Sequence, residues 1–220
     1  MSAMLPRPLL LGHRGARATK SIPENTFASF DQALTDGCDG FEFDVRLTSD
    51  GQAVVVHDPQ SRGAEIARST APQVSWLPQM QDVLVRYQDS AFLNIELKVP
   101  GLEPMIVNLL RKYAPSRGFV VSSFLPEVLR SVRGESSVVP LGLICETKPQ
   151  LSAWRQSPAE YIIPHHTLVS TKLIRELHRA GKKILVWTVN QRSGMWRFEK
   201  AGVDGIISDD TKLLGETLRR

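Results

Sequence analysis

The stretch Phe41-Glu42-Phe43-Asp44-Val45-Arg46-Leu47-Thr48-Ser49-Asp50-Gly51-Gln52-Ala53-Val54-Val55-Val56-His57-Asp58 decides the fold. Two apolar, β-branched runs, 41–45 and 53–56, flank Thr48-Ser49-Asp50-Gly51. So short a connection, with Asp-Gly in it, signals a hairpin and not a crossover. Residues 53–57 are therefore expected to return antiparallel. With the turn centred near Asp50, His57 comes back close to Glu42 and Asp44, unless a bulge shifts the register.

Outward from this hairpin, short apolar runs recur at 9–12, 92–97, 119–122, 139–144, 161–164, 184–189 and 205–208, which read as strands. Segments of helical period lie between most of them, at 26–35, 79–87, 102–113, 126–132, 171–180 and 194–201. Strands alternating with helices make βα units and a parallel sheet. Counting both arms of the hairpin leaves one strand too many for a (β/α)8 barrel, so the expected fold is a TIM-type barrel carrying an antiparallel hairpin near residues 41–57. The stretch 58–79, punctuated by Gly, Pro and Ser, reads as a loop.

The 220 residues suit one barrel domain over 1–220, near the lower size limit of that fold. Hydrophobic residues at 42% and charged residues at 23% are ordinary globular values, which argues against a disordered or fibrous chain. Cys38 and Cys145 show neither CxxC nor metal spacing, so neither a disulfide framework nor a thiolate zinc site is expected. A net charge of +4 with scattered Lys and Arg lacks the footprint of a nucleic-acid binder. The opening residues show no basic start followed by an apolar run, and no stretch of about 18 apolar residues occurs. Neither export nor a membrane span is indicated, and a cytoplasmic location is expected. Oligomeric state is not legible.

Ionisable residues concentrate where strands end. His13-Arg14 follows the first strand, Glu42 and Asp44 lie on the second, His57-Asp58 follows the third, and Glu96 and Lys98 finish the fourth. Barrel enzymes gather their catalytic groups at such C-terminal ends. Glu42 and Asp44 are two apart and share a face, as do Glu96 and Lys98. Three carboxylates converging in a barrel mouth repel one another and lose hydration, unless a hard divalent cation such as Mg²⁺ or Ca²⁺ neutralises them. His13 and His57 suit proton transfer near neutral pH, and Arg14 and Lys98 suit the anionic oxygens of a phosphate ester. Any one of these residues alone is more often a satisfied polar side chain; their joint placement favours a site.

Taken in order, His13-Arg14-Gly15, Pro23-Glu24-Asn25-Thr26, Glu42-Phe43-Asp44, Thr48-Ser49-Asp50-Gly51, His57-Asp58, Asn94-Ile95-Glu96-Leu97-Lys98, Ser122-Ser123-Phe124, Trp187-Thr188-Val189-Asn190 and Asp204-Gly205-Ile206-Ile207-Ser208-Asp209 closely resemble the glycerophosphodiester phosphodiesterase family. The resemblance implies a TIM-type barrel. It also implies hydrolysis of small phosphodiesters such as glycerophosphocholine or glycerophosphoethanolamine to glycerol 3-phosphate and an alcohol. It marks Glu42, Asp44 and Glu96 as metal ligands, His13 and His57 as general acid and base, and Arg14 and Lys98 as phosphate contacts. Trp187 resembles an aromatic wall against the glycerol or head group, with barrel core as the alternative. Glu24 is balanced between the site and a helix start opened by Asn25 or Thr26. Asn190, like Trp187, is open between site and core; His165 and His166 read as loop residues; and Asp209 could face the mouth, with a turn or cap role favoured.

Family members often carry a longer insertion after the His-Asp pair; here 58–77 is short. A reduced lid implies an open mouth, which suits larger head groups, a lysophospholipid among them, or weak binding of small diesters. Two other classes fit less well. A phospholipase-type barrel shares paired histidines and a metal but calls for a secretion signal or a membrane-facing loop. A non-catalytic binding barrel is expected to lack some of the histidines and carboxylates, and none is missing.

Overall fold

The computed structural model describes residues 7–219. In chain order the strands are β1 (Leu9–Gly12), β2 (Gly40–Leu47), β3 (Ala53–Val55), β4 (Gln60–Ser61), β5 (Ala64–Glu65), β6 (Phe92–Leu97), β7 (Phe119–Ser123), β8 (Leu141–Cys145), β9 (Tyr161–Pro164), β10 (Lys183–Val186) and β11 (Gly205–Ser208). The helices are α1 (Phe27–Thr35), α2 (Met80–Tyr87), α3 (Glu103–Lys112), α4 (Pro126–Glu135), α5 (Lys148–Ser152), α6 (Thr171–Arg179), α7 (Arg192–Ala201) and α8 (Thr211–Leu218).

The sheet order β1-β11-β10-β9-β8-β7-β6-β2 is parallel throughout, and β1 pairs with β2 to close it. Closure leaves the barrel itself without an edge. β3 lies outside this ring, paired antiparallel to β2 with Val45 opposite Val55 and Leu47 opposite Ala53. This is the expected hairpin, in the expected register. Gly51, at φ 76°, takes the left-handed position that its turn requires. The TIM-type barrel read from the sequence is thus present, with α5 and α8 as additional helices.

Alternation along the strands separates two apolar layers. On β2 and β6 the outward residues Phe41, Phe43, Val45, Leu93, Ile95 and Leu97 pack beneath the helices. Phe30 of α1 stacks on Phe41 with centroids 4.2 Å apart and meets Tyr87 of α2 edge-on. The barrel interior holds Leu11, Phe92, Val120, Ile144, Tyr161, Ile163, Leu185 and Ile207. Apolar residues fill the interior, so the inward polar groups of β2 and β6 face the mouth.

Residues 58–79 are more ordered than a loop. They form the small β4–β5 hairpin and two 3₁₀ turns, Ile66–Arg68 and Ala71–Val74. Ile66 and Val74 bury with Val54 and Val56 in a separate apolar cluster beside β3. The segment is folded against β3 by this burial, a signal too sparse for periodicity to reveal.

Candidate active site

Register builds the site. β2 pairs with β6 so that Glu42 lies opposite Asn94 and Asp44 opposite Glu96, which places the three acids on adjacent inward positions. One oxygen from each of Glu42, Asp44 and Glu96 lies within 4.8 Å of the others, and all three residues are buried. A cavity of about 260 Å³ opens here, lined by His13, Arg14, Glu42, His57, Asn94, Glu96, Lys98, Phe124, Ile144, Glu146, Ile163, Trp187 and Ile207. Every sequence-derived site residue lines it except Asp44, which sits beneath Arg14 and Lys98 at 3.4 and 3.3 Å. Among the described residues, none from 58–79 lines this cavity.

The loop after β1 carries His13 and Arg14. Gly15, at φ 80°, lets that loop close onto α1, where a Cβ would stand 1.9 Å from Ser29 Oγ. Ser29 Oγ donates to the Arg14 carbonyl at 2.6 Å, and the Arg14 amide donates to Glu42 Oε2 at 2.9 Å. The same folding points His13 Nε2 at Glu42 Oε2, 3.8 Å away, while Nδ1 meets Asp209 Oδ1 at 2.7 Å. His57 is the more open histidine; its Nδ1 meets Asp58 Oδ1 at 2.7 Å. Lys98 Nζ lies 2.6 Å from Glu96.

The Pro23-Glu24-Asn25-Thr26 segment divides its work. Thr26 caps α1, accepting from the Ser29 amide. Asn25 is buried and donates from Nδ2 to Asp44 Oδ2 at 2.9 Å. Glu24 holds Arg14 and Arg17, at 2.8 Å each, and does not line the cavity. Trp187 follows β10; its Nε1 donates to the Ile163 carbonyl at 2.9 Å, which leaves the ring as cavity wall, with Phe124 edge-on. His165 packs against that ring from outside the cavity, and His166 lines a different cleft.

For Asp209 the structure does not show the cap role that the sequence reading favours. Capping of α8 falls to its neighbour Asp210, which accepts from the Leu213 amide at 2.9 Å. Asp209 instead accepts from Arg17 at 3.2 Å and Asn190 Nδ2 at 2.7 Å, and binds His13. Of two consecutive aspartates, only the turn geometry says which one meets His13.

The electrostatics are those of a site short of positive charge. Burial, then the Asp44 and Glu96 charges, hold the Glu42 carboxyl well above the usual range, against the opposing Arg14. Burial and Asp44 push Glu96 up to about 7, opposed by Lys98. For Asp44 burial acts upward too, but Lys98, Arg14 and the Asn25 hydrogen bond outweigh it and hold the carboxyl low. Burial lowers the His57 imidazole more than Asp58 raises it. Glu42 Oε1 is buried without a hydrogen-bond partner among the described residues. An orphaned carboxylate oxygen, in a set of three hard oxygen donors, fits a divalent cation.

Fold and site together define a parallel-barrel enzyme with an acidic centre at its C-terminal face. The chain matches the glycerophosphoryl diester phosphodiesterase family over residues 13–83 and 77–213. A glycerophosphodiester phosphodiesterase of Caldanaerobacter subterraneus subsp. tengcongensis is 31% identical over 243 residues, covering 97% of this chain and 99% of that one. In structure the chain is similar to a glycerophosphodiester phosphodiesterase of Thermotoga maritima, with a TM-score of 0.83 at 22% identity, covering 96% and 98% of the two chains. It is similar also to an Oleispira antarctica phosphodiesterase in complex with the product sn-glycerol-3-phosphate, at TM-score 0.83 and 24% identity, covering 98% of each chain. The chain belongs to the glycerophosphoryl diester phosphodiesterase family and is a phosphoric diester hydrolase.

Proposed function

We propose that the cavity hydrolyses glycerophosphodiesters, glycerophosphocholine and glycerophosphoethanolamine among them, to glycerol 3-phosphate and an alcohol. A divalent cation, Mg²⁺ or Ca²⁺, is held by Glu42, Asp44 and Glu96. The observation that carries this reading is the buried acidic trio with its orphaned Glu42 oxygen, of which Glu42 and Glu96 line one cavity with His13, His57, Arg14 and Lys98, and Asp44 lies just beneath. When bound, the cation supplies charge neutralisation and Lewis acidity toward a phosphate oxygen and the attacking oxygen. The product complex of the Oleispira antarctica relative is consistent with glycerol 3-phosphate as the product here.

The chain's own groups then have defined work. Arg14 and Lys98 are poised above Asp44 and orient the anionic diester oxygens. His13 Nε2 and His57 lie within one cavity, where one takes the proton of the attacking hydroxyl and the other delivers a proton to the departing alkoxide. Trp187 and Phe124 offer an apolar wall that sheds water from the bound ester. One barrel domain spanning 1–220, acting in the cytoplasm on a small-molecule diester, is the simplest setting for this chemistry.

The test is release of glycerol 3-phosphate from each diester by purified protein, with EDTA, Mg²⁺ or Ca²⁺ in parallel arms. Metal-dependent release supports the reading. No release with any metal, from a folded preparation, rejects this substrate class.

A further inference from the structure

His13 and His57 both meet a carboxylate through Nδ1, but the two settings differ. The Asp58 side chain is 74% exposed, whereas the Asp209 side chain is 19% exposed and anchored on three sides. Asp209 Oδ1 accepts from Arg17, and Oδ2 accepts from Asn190 Nδ2. Asn190 is oriented in turn, since its Oδ1 accepts from Ser208 Oγ at 3.0 Å and from the Asp209 amide at 2.9 Å. Neither oxygen of Asp209 is left to rotate away. Hydrogen bonds from His13, Asn190 and Arg17 outweigh burial and keep this carboxyl ionised, well below the usual range.

A fixed, ionised acceptor 2.7 Å from Nδ1 requires that this ring nitrogen carry a proton. We propose that Asp209 is a positioning residue for the hydrolysis, holding His13 as the Nδ1–H tautomer so that Nε2 alone faces the cavity and carries the exchangeable proton. The proposal rests on the proton-transfer role assigned above to His13. In each turnover the proton enters and leaves at Nε2, while the Nδ1 proton stays between His13 and Asp209. Barrel closure brings the pair together: β1 pairs with β11, placing Gly12 opposite Ser208 directly before His13 and Asp209.

Asp209→Asn removes the charge at nearly constant shape. Its carboxamide has one acceptor, so its N–H₂ must meet either His13 and Arg17 or the Asn190 amide donor. kcat for glycerophosphocholine is expected to fall by about 10² or more, with KM changed less than about threefold. In a His13→Ala background the same substitution is expected to cost less than about twofold, because the residue it positions is gone. The tautomer is read without turnover: ¹⁵N spectra of neutral His13, assigned by loss of signal in His13→Ala, are expected to show Nδ1–H in the unsubstituted protein and a gain of Nε2–H in Asp209→Ala, where Nδ1 has lost its acceptor. Should Asp209→Asn not fold, Asp209→Ala carries the test, since a cleft of about 450 Å³ lined by Arg17, Ala18, Glu24, Asn190, Asp209 and Asp210 opens the vacated position to a small molecule, with Arg17 and Asn190 as its donors. Formate is expected to restore its rate at least tenfold. An Nε2–H tautomer in the unsubstituted protein, an equal loss of kcat in both backgrounds, or no restoration by formate would each overturn the proposal. Near-normal turnover of His13→Ala would instead sink the proton-transfer reading on which it rests, leaving the tautomer measurement as the separate test of the hold on the ring.

Discussion

Loading the metal-free protein with Mg²⁺ or Ca²⁺ is expected to release protons at pH 6. Burial and Asp44 raise Glu96 from 4.5 to about 7. At pH 6 that carboxyl is about nine-tenths protonated, and a carboxylate must shed its proton to become a ligand. Glu96 alone therefore contributes about 0.9 proton per ion bound, and Glu42, raised by the same causes, adds to it. From this one proton, metal affinity should rise roughly fifty-fold between pH 5 and pH 7. Titration calorimetry in buffers of different ionisation enthalpy measures the release, as the slope of observed heat against buffer enthalpy. A zero slope at pH 6 would refute the view that the ion binds to these buried, proton-holding carboxyls.

The same shift sets a stability trend. A raised folded pKa means that the native state binds the Glu96 proton more tightly than the unfolded chain does between pH 4.5 and about 7. Its contribution is fully present below 4.5 and is lost as pH rises through 7, a cost of about 3 kcal/mol at one pKa unit per 1.36 kcal/mol. Asp39, Asp44 and Asp209 are lowered from 3.8 and act oppositely, their stability being lost only as pH falls below about 4. EDTA-treated protein should thus melt lower at pH 8 than at pH 5.5, and the ion should restore more of Tm at pH 8.

Replacing His13 or His57 with Ala should lower kcat by about 10² or more while Tm stays nearly constant; near-normal turnover in either purified variant would remove that histidine from proton transfer. Asn25→Ala strips Asp44 of a buried hydrogen bond and puts Ala at φ 57°, so metal affinity should weaken about 10–100-fold by calorimetry. An unchanged affinity would mean that Asn25 only starts the helix. Phe30→Ala removes the ring packed against both Phe41 and Tyr87 and should cost about 3–5 kcal/mol in urea unfolding; a loss under about 1 kcal/mol would contradict the packing described.

What the sequence disclosed followed from period and spacing. Hairpin chemistry at 48–51 and two-residue alternation on β2 and β6 were enough to bring Glu42, Asp44, Glu96 and Lys98 to one mouth. Helix α8 escaped because Gly215 weakens an already short helical pattern, yet packing requires it: a Cβ there would stand 2.0 Å from the Asp36 carbonyl. Helix α5, five residues held by the Thr147–Gln150 capping box, is too short to show a period. The strand expected over 184–189 ends at Val186, beyond which Trp187 keeps a single bridge to His165. Asp209 lies 196 residues from His13, and only barrel closure makes them neighbours.

The charges of the mouth suggest an order of events. Three ionised carboxylates against Arg14 and Lys98 would leave one net negative charge, and in the absence of an ion burial relieves it by driving Glu42 and Glu96 toward their protonated forms. At a pH where all three carboxyls are ionised, an anionic diester brought into that field without the ion meets repulsion at low dielectric. A divalent ion reverses the sign to one net positive charge, matched to one phosphodiester anion. On the proposed reading, ion and diester therefore bind with positive coupling, and each tightens the other by the same factor. Lys98 belongs to both halves of this balance: paired with Glu96 and Asp44, it limits their repulsion before the ion binds, and its donors are then free to turn toward the phosphate oxygens.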